Sequence, residues 1–322
     1  MRTATLRMPA LVAAVISLVA TLTACGSGPG QVNSAVIIDG RSVSVDQVQE
    51  MVEDVVREQP AAQSLARERK LDLVAREAVT QLVIHQLIGK VAKEENISAD
   101  PEDVAAFLAQ NPLDDELPTD GSVPPEALVQ QLVFRARDAN EYATDQVLLA
   151  QLASKYLGRT SITYNLATLP DGAAARDLAA KIVAAPDQAG QLMTEAGGAT
   201  AEPRLEQESG PTVDAVYLTA PVGSVFVLPA GQGDQGSGGF QVVQLLDRQV
   251  SGQLDPGFDP SSIQPQQLPS LGVFALREAA MDADMDLSPR YGVWNDAMVK
   301  VVPKLEADAS GSVLLPRDLS KP

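Results

Sequence analysis

Cysteine, histidine and tryptophan each occur once among the 322 residues, and aromatic residues make up only 4%. A single cysteine, Cys25, excludes an internal disulfide, so the fold has to rest on its apolar core. The single histidine, His85, lies on a helical pattern beside Ile84 and Leu87 with no other His or Cys in the chain except Cys25. It reads as a packed or boundary residue, and no metal ligand set is expected around it. A Ser-His-Asp triad would have to use that same His85, and no G-x-S-x-G elbow surrounds Gly210, Gly223 or Ser224. So few rings leave no obvious ring-lined pocket for sugars or bases. Basic charge is short as well: 24 Lys and Arg face 42 Asp and Glu, a net charge of −18. That balance repels phosphates and excludes nucleic acid as a partner. The acids at 114–116 and at 282, 284 and 286 lack the spacing of a calcium loop and read as solvated loop charge. The Gly-rich run 231–239 lacks the Lys-Ser/Thr of a phosphate loop and reads as a hairpin tip. No cofactor is expected.

Long apolar runs are also scarce, with one exception. Residues 11–22 are almost entirely apolar, Arg2 and Arg7 precede them, and the first acid is Asp39. This is the layout of an export signal, a basic start followed by an apolar centre. At 9–24 the uncharged run is slightly short of the roughly 20 residues a membrane-spanning helix needs. The order Leu22-Thr23-Ala24-Cys25 resembles the lipobox of bacterial lipoproteins. That resemblance implies cleavage before Cys25, a diacylglycerol on its thiol with acyl chains such as palmitate, and a place on the outer face of the cytoplasmic membrane. Residues 25–34, rich in Gly, Ser and Pro, then read as a flexible tether. Removing 1–24 leaves 298 residues and, because two arginines go, takes the net charge to −20. Such a body should stand off an anionic membrane.

Beyond the tether, an apolar run at 35–38 ends in the turn signal Asp39-Gly40, and Ser44 with Gln47 forms a capping box ahead of a helix that Pro60 stops. Helical spacing then runs from 62 to about 95, with a break expected near Arg69 or Gly89. Asp100-Pro101 starts a short helix, 111–125 reads as an exposed loop, and a second long helix is expected from 126 to 156, stopped by Gly158. From Ser161 the pattern changes to a small α/β unit. It has a strand at 162–169, helices at 172–184 and 187–196, an acidic stretch at 197–211, and strands at 213–218, 224–228 and 240–246. Residues 251–269 read as a linker, 271–283 as a helix, and 284–302 as two short strands.

This order is familiar. The run Val36-Ile37-Ile38-Asp39-Gly40-Arg41-Ser42-Val43-Ser44 resembles the opening of the SurA and PrsA extracytoplasmic folding factors, and Ile97-Ser98-Ala99-Asp100-Pro101-Glu102-Asp103-Val104 resembles a later helix start in them. Ser288-Pro289-Arg290-Tyr291-Gly292-Val293-Trp294 is similar to a C-terminal motif of actinobacterial members. The resemblance implies an α+β fold: a mainly helical SurA-like chaperone domain built from 35–158 and 270–303, with a small parvulin-like α/β domain at 161–250 inserted between. The linker is 251–269 and the C-terminal tail 304–322. Parvulins carry histidines in their first and last strands. Here Asn165 and Gln241 stand at those positions, and Gly197-Gly198 is all that remains of a Gly-rich signature. No catalytic residue is therefore assigned, and the resemblance implies a lipid-anchored chaperone-like protein that holds unfolded or newly exported polypeptides without prolyl isomerase catalysis. Its client-binding residues and oligomeric state are not assigned. Two rivals are an accessory envelope lipoprotein acting as a fixed-partner module and an active prolyl isomerase. Salt-dependent binding of basic or neutral clients is expected from the acidic surface.

Overall fold

The computed structural model describes residues 33–110, 113–114, 116–118, 122–196, 204–208, 214–230, 239–307 and 309–316. Within them the chain folds as α+β. β1 (Ser34–Ile38) and β2 (Arg41–Ser44) form a hairpin whose turn holds Asp39 and Gly40 at positive φ. Ser44 then caps α1 (Val45–Glu58): the Gln47 amide donates to Ser44 Oγ at 3.1 Å and the Ser44 amide donates to Gln47 Oε1 at 3.0 Å. This reciprocal pair satisfies two of the helix's orphan donors. Gln59, ahead of a proline, is extended, and α2 (Pro60–Arg67) starts at that proline.

The break expected near Arg69 or Gly89 lies at Arg69. Its φ of 60° places it in the left-handed region, the Lys70 amide reaches back to Leu65 O at 2.9 Å, and the Arg69 amide to Ala66 O at 3.1 Å. Both bonds of a Schellman ending are present without the usual glycine. α3 (Leu71–Glu94) runs unbroken through Gly89 and ends the same way, with Asn96 at φ 53° and Ile97 bonded to Ala92 O. α4 (Pro101–Gln110) follows.

The single helix expected over 126–156 is two helices. α5 (Pro125–Ala136) stops at Arg137, which is extended, and Asp138 caps α6 (Ala139–Tyr156) by accepting from the Glu141 amide at 2.9 Å. A side-chain cap offers the backbone an alternative to continuing the helix.

The small unit contains β3 (Thr160–Leu169), α7 (Gly172–Ala184), α8 (Ala189–Ala196), β4 (Arg204–Glu208), β5 (Val225–Pro229) and β6 (Phe240–Val250). Two expectations fail here. Residues 214–217, expected as a strand, form a 3₁₀ turn, a known ambiguity of short apolar runs. The acidic stretch contains β4, an edge strand whose charged sequence hides its pairing with β3.

The return segment 251–269 packs rather than dangles. Asp255 donates its amide to Gly158 O at 2.7 Å, and Ile263 is buried. α9 (Leu268–Gly272) and α10 (Arg277–Asp282) follow, joined by a 3₁₀ turn at Val273–Leu276. A Cβ on Gly272 would stand 2.0 Å from Leu149 O, so α9 can press against α6 only as glycine. β7 (Met285–Leu287) joins β1, so the sheet order is β2-β1-β7 and a strand from late in the chain shares a sheet with the first two. β8 (Val293–Asn295) and β9 (Lys300–Val302) form a hairpin, giving three strands where two were expected. The segment read as a C-terminal tail supplies β10 (Ser312–Leu314), which completes the antiparallel sheet β10-β5-β6-β3-β4.

Buried side chains gather in three clusters. The largest joins α1, α2, α3, α5 and α6 to α10 and β9, and the other two lie on opposite faces of the five-stranded sheet. Arg277 ties these regions together. Fully buried, its guanidinium donates to the carbonyls of Asp296 (2.8 Å), Ala297 (2.6 Å) and Val216, between the rings of Phe226 and Phe274. Burial pushes its pKa down to about 10.

Candidate functional site

α4 spaces Val104, Phe107 and Leu108 on one face, yet contributes no fully buried residue. Its apolar face opens on a groove. α3, α4, α5, α6 and the return segment enclose about 1150 Å³ there. A smaller cavity of about 480 Å³ adjoins it, and both are lined by Phe107, Leu113, Phe134 and Tyr142. The three rings meet: Phe134 and Tyr142 centroids lie 4.9 Å apart, and Phe107 meets Tyr142 edge-on at 5.8 Å. Tyr142 is buried, and that burial pushes its hydroxyl up to about 12; Phe107 and Phe134 are half-buried. Together with Phe274, four of the chain's twelve aromatic residues line the groove. A ring-lined cavity therefore exists in spite of the low aromatic content, because the few rings are concentrated by the fold.

Charge behaves differently in the groove from the rest of the chain. Two acids, Glu77 and Asp103, and three bases, Lys155, Arg159 and Lys300, line it. Burial pushes the Glu77 carboxyl up to about 7, against the opposing pull of Gln81, which donates to it at 2.7 Å, and of Lys300. The groove is thus nearly neutral inside a strongly acidic protein.

Beside it His85 is not simply packed. Its Nδ1 stands 2.9 Å and 3.0 Å from the two oxygens of Asp145, and Nε2 lies 3.9 Å from Glu141. Arg137, buried at the α5–α6 corner, donates to Asp145 and to Glu141 at 2.8 Å. The hydrogen bond to Asp145 raises the imidazole pKa above its ordinary value, partly offset by burial. His85, Glu141 and Asp145 bring three donor atoms within 4.8 Å of one another, an approach the sequence pattern did not disclose. Arg137 already binds both carboxylates, so the cluster is a closed ion network that fastens α3 to α6. Its sequence trace was Asp138-Ala139-Asn140-Glu141, a capping pattern that ends one helix and starts the next.

The two positions that match parvulin histidines do not meet. Asn165 pairs with Gln244 across β3 and β6, whereas Gln241 pairs with Thr168. Gln241 stands three positions before Gln244, about 10 Å along the strand and an odd step, which puts Gln241 on the other sheet face. Asn165 and Gln244 are buried. The Asn165 amide donates to Gln244 Oε1 at 2.8 Å, and the Gln244 amide donates to Pro186 O at 3.3 Å. This pair is closed on itself beneath α7 and α8.

Asp114 and Glu116 edge the smaller cavity, and Asp284 bonds its amide to Asp39 Oδ1 at 2.9 Å. Leu22, Thr23, Ala24 and Cys25, the tether to residue 32, Gly197-Gly198 and positions 231–238 lie outside the described residues. No helix among the described residues is long and apolar enough to cross a membrane.

No protein-family model matches the chain, and no curated protein matches it. Among solved structures it is similar to the foldase protein PrsA of Streptococcus pneumoniae, 13% identical, with a TM-score of 0.25, over 78% of this chain and 94% of that one. It is also similar to PrsA of Lactococcus lactis, 10% identical, with a TM-score of 0.20, over 80% and 95% respectively. Neither likeness bears on which residues act.

Proposed function

We propose that this chain is a lipid-anchored extracytoplasmic chaperone-like protein that holds unfolded or newly exported polypeptides in the groove between α3, α4, α5 and α6. The groove carries the reading. Its volume exceeds the roughly 300–1,000 Å³ of small-molecule pockets, and it offers half-buried rings that a soluble body would otherwise bury. The motif order at 36–44, 97–104 and 288–294 supports a SurA/PrsA-like scaffold, in which 161–250 is an inserted parvulin-like domain. The separation of Asn165 from Gln241 supports an inserted domain without prolyl isomerase catalysis. The Leu22-Thr23-Ala24-Cys25 order supports anchoring through Cys25.

The test is aggregation of an unfolded exported protein in the presence of near-stoichiometric amounts of the full chain. The proposal expects aggregation to slow. No effect across several such proteins at low and moderate salt would overturn it and favour a fixed-partner envelope module. Prolyl isomerisation of a reporter peptide above background would overturn the non-catalytic part. Acyl labelling that survives Cys25→Ala would overturn the anchor.

A further inference from the structure

Seven glutamines line the groove against five charged side chains, whereas charged residues outnumber glutamines more than twofold in the whole chain. The side-chain carboxamides of five, Gln110, Gln130, Gln146, Gln151 and Gln266, make no hydrogen bond to any described residue; those of Gln110, Gln130 and Gln266 are exposed. The other two are engaged: Gln81 with Glu77, and Gln131 with Arg135 at 2.9 Å. Gln146 and Gln151 are half-buried on α6, on either side of Val147 and Ala150 in the groove wall. A carboxamide offers two donors and an acceptor, the same complement that a peptide bond presents in reverse. The half-buried carboxamides of Gln146 and Gln151 can therefore pair with the amides of a segment laid along the groove, groups that would otherwise lose water on entry without a partner.

We infer that the groove is built for extended, uncharged polypeptide segments, with the Phe107, Phe134 and Tyr142 rings taking apolar side chains and the free glutamines taking backbone amides. This deepens the proposed function and rests on its reading of the groove as a polypeptide site. It departs from the expectation that the acidic surface selects basic clients. The walls carry two acids and three bases, so a basic segment gains no net attraction there, and a charge of either sign loses hydration on entry. Backbone recognition by glutamine is indifferent to sequence, while the rings demand only apolar bulk.

The test uses the full chain in lipid nanodiscs and a short end-capped peptide of Phe, Leu, Ser and Thr. A second peptide has the same side chains with alternate backbone amides N-methylated. The native peptide should bind about tenfold more tightly than the methylated one, the loss expected from two hydrogen bonds, with little change between low and moderate salt. The double variant Gln146→Leu, Gln151→Leu keeps volume and removes carboxamides. It should bind the native peptide about tenfold more weakly and the methylated peptide unchanged, because the same bonds are already lost. Multiplicative losses, no loss in the variant, or tighter binding after lysines are added would overturn the inference while unfolded proteins still bound. If neither the peptide nor an unfolded exported protein bound, the proposed function itself would fall.

Discussion

The helical body and the five-stranded unit treat their polar groups in opposite ways. In the sheet, Asn165, Gln244 and the Pro186 carbonyl satisfy one another beneath two helices. Along the groove, Gln146 and Gln151 have no partner among the described residues, and Phe107 and Phe134 remain half-buried beside a large volume. A surface that has spent its hydrogen-bonding capacity internally has little left for a ligand. Under the proposed function, this contrast supports binding at the helices and a structural part for the sheet.

The largest effect should come from breaking the link between the two regions. Arg277→Leu removes a buried cation and strands the carbonyls of Val216, Asp296 and Ala297. A loss of about 3–5 kcal/mol is expected in urea unfolding, with amides of β5 and β6 exchanging before those of α3. Retention of full stability would show that the regions are not joined there.

Within the helical body, Asp145→Ala leaves buried Arg137 with Glu141 alone, and about 3 kcal/mol should be lost. Equal losses in Asp145→Ala and Glu141→Ala would contradict this ranking, since Glu141 is the more exposed partner.

Binding separates the regions more sharply than stability does. The pair Phe107→Ala, Phe134→Ala should weaken capture of an unfolded protein about tenfold. Asn165→Leu, which orphans Gln244, should cost about 1–3 kcal/mol of stability and leave capture unchanged. A binding defect in Asn165→Leu would move the site to the sheet.

The remaining effects are those of pH. The folded Glu77 carboxyl is raised from 4.5 to about 7, so the folded state holds that proton longer than the unfolded chain. Stability is then greatest below 4.5 and falls as pH rises through about 7. The His85 imidazole is also raised; its contribution is full below the ordinary value of about 6.5 and is lost as pH climbs through the folded value. Both slopes have the same sign. Glu77→Gln should flatten the lower limb of a stability profile, and His85→Gln the upper one, the latter weakly because the imidazole side chain is 40% exposed.

Local signals made much of the fold legible: the Ser44 capping box, the stops at Pro60 and Gly158, the helix opened by Asp100-Pro101 and the strand pattern from Ser161. Asp138 is an equally local signal, masked by apolar spacing that continues across it. β4 and β10 were hidden for another reason. Edge strands owe their existence to a neighbour's unpaired backbone rather than to their own apolar pattern. The groove was the least legible feature. Phe107 and Phe134 fit a helical core as well as they fit a binding wall, and only packing shows that α4 contributes no buried residue and turns Phe107 to a groove. Likewise His85, Arg137, Glu141 and Asp145 converge from separate helices.

Photo-crosslinking tests the central claim most directly. A photoreactive residue placed at Phe107, Phe134 or Gln151, and in parallel at Leu228 or Gln241, reports which region touches a captured unfolded protein. The account predicts adducts from the first three positions and only background from the sheet. Adducts concentrated at 228 and 241, with none from the groove, would contradict it.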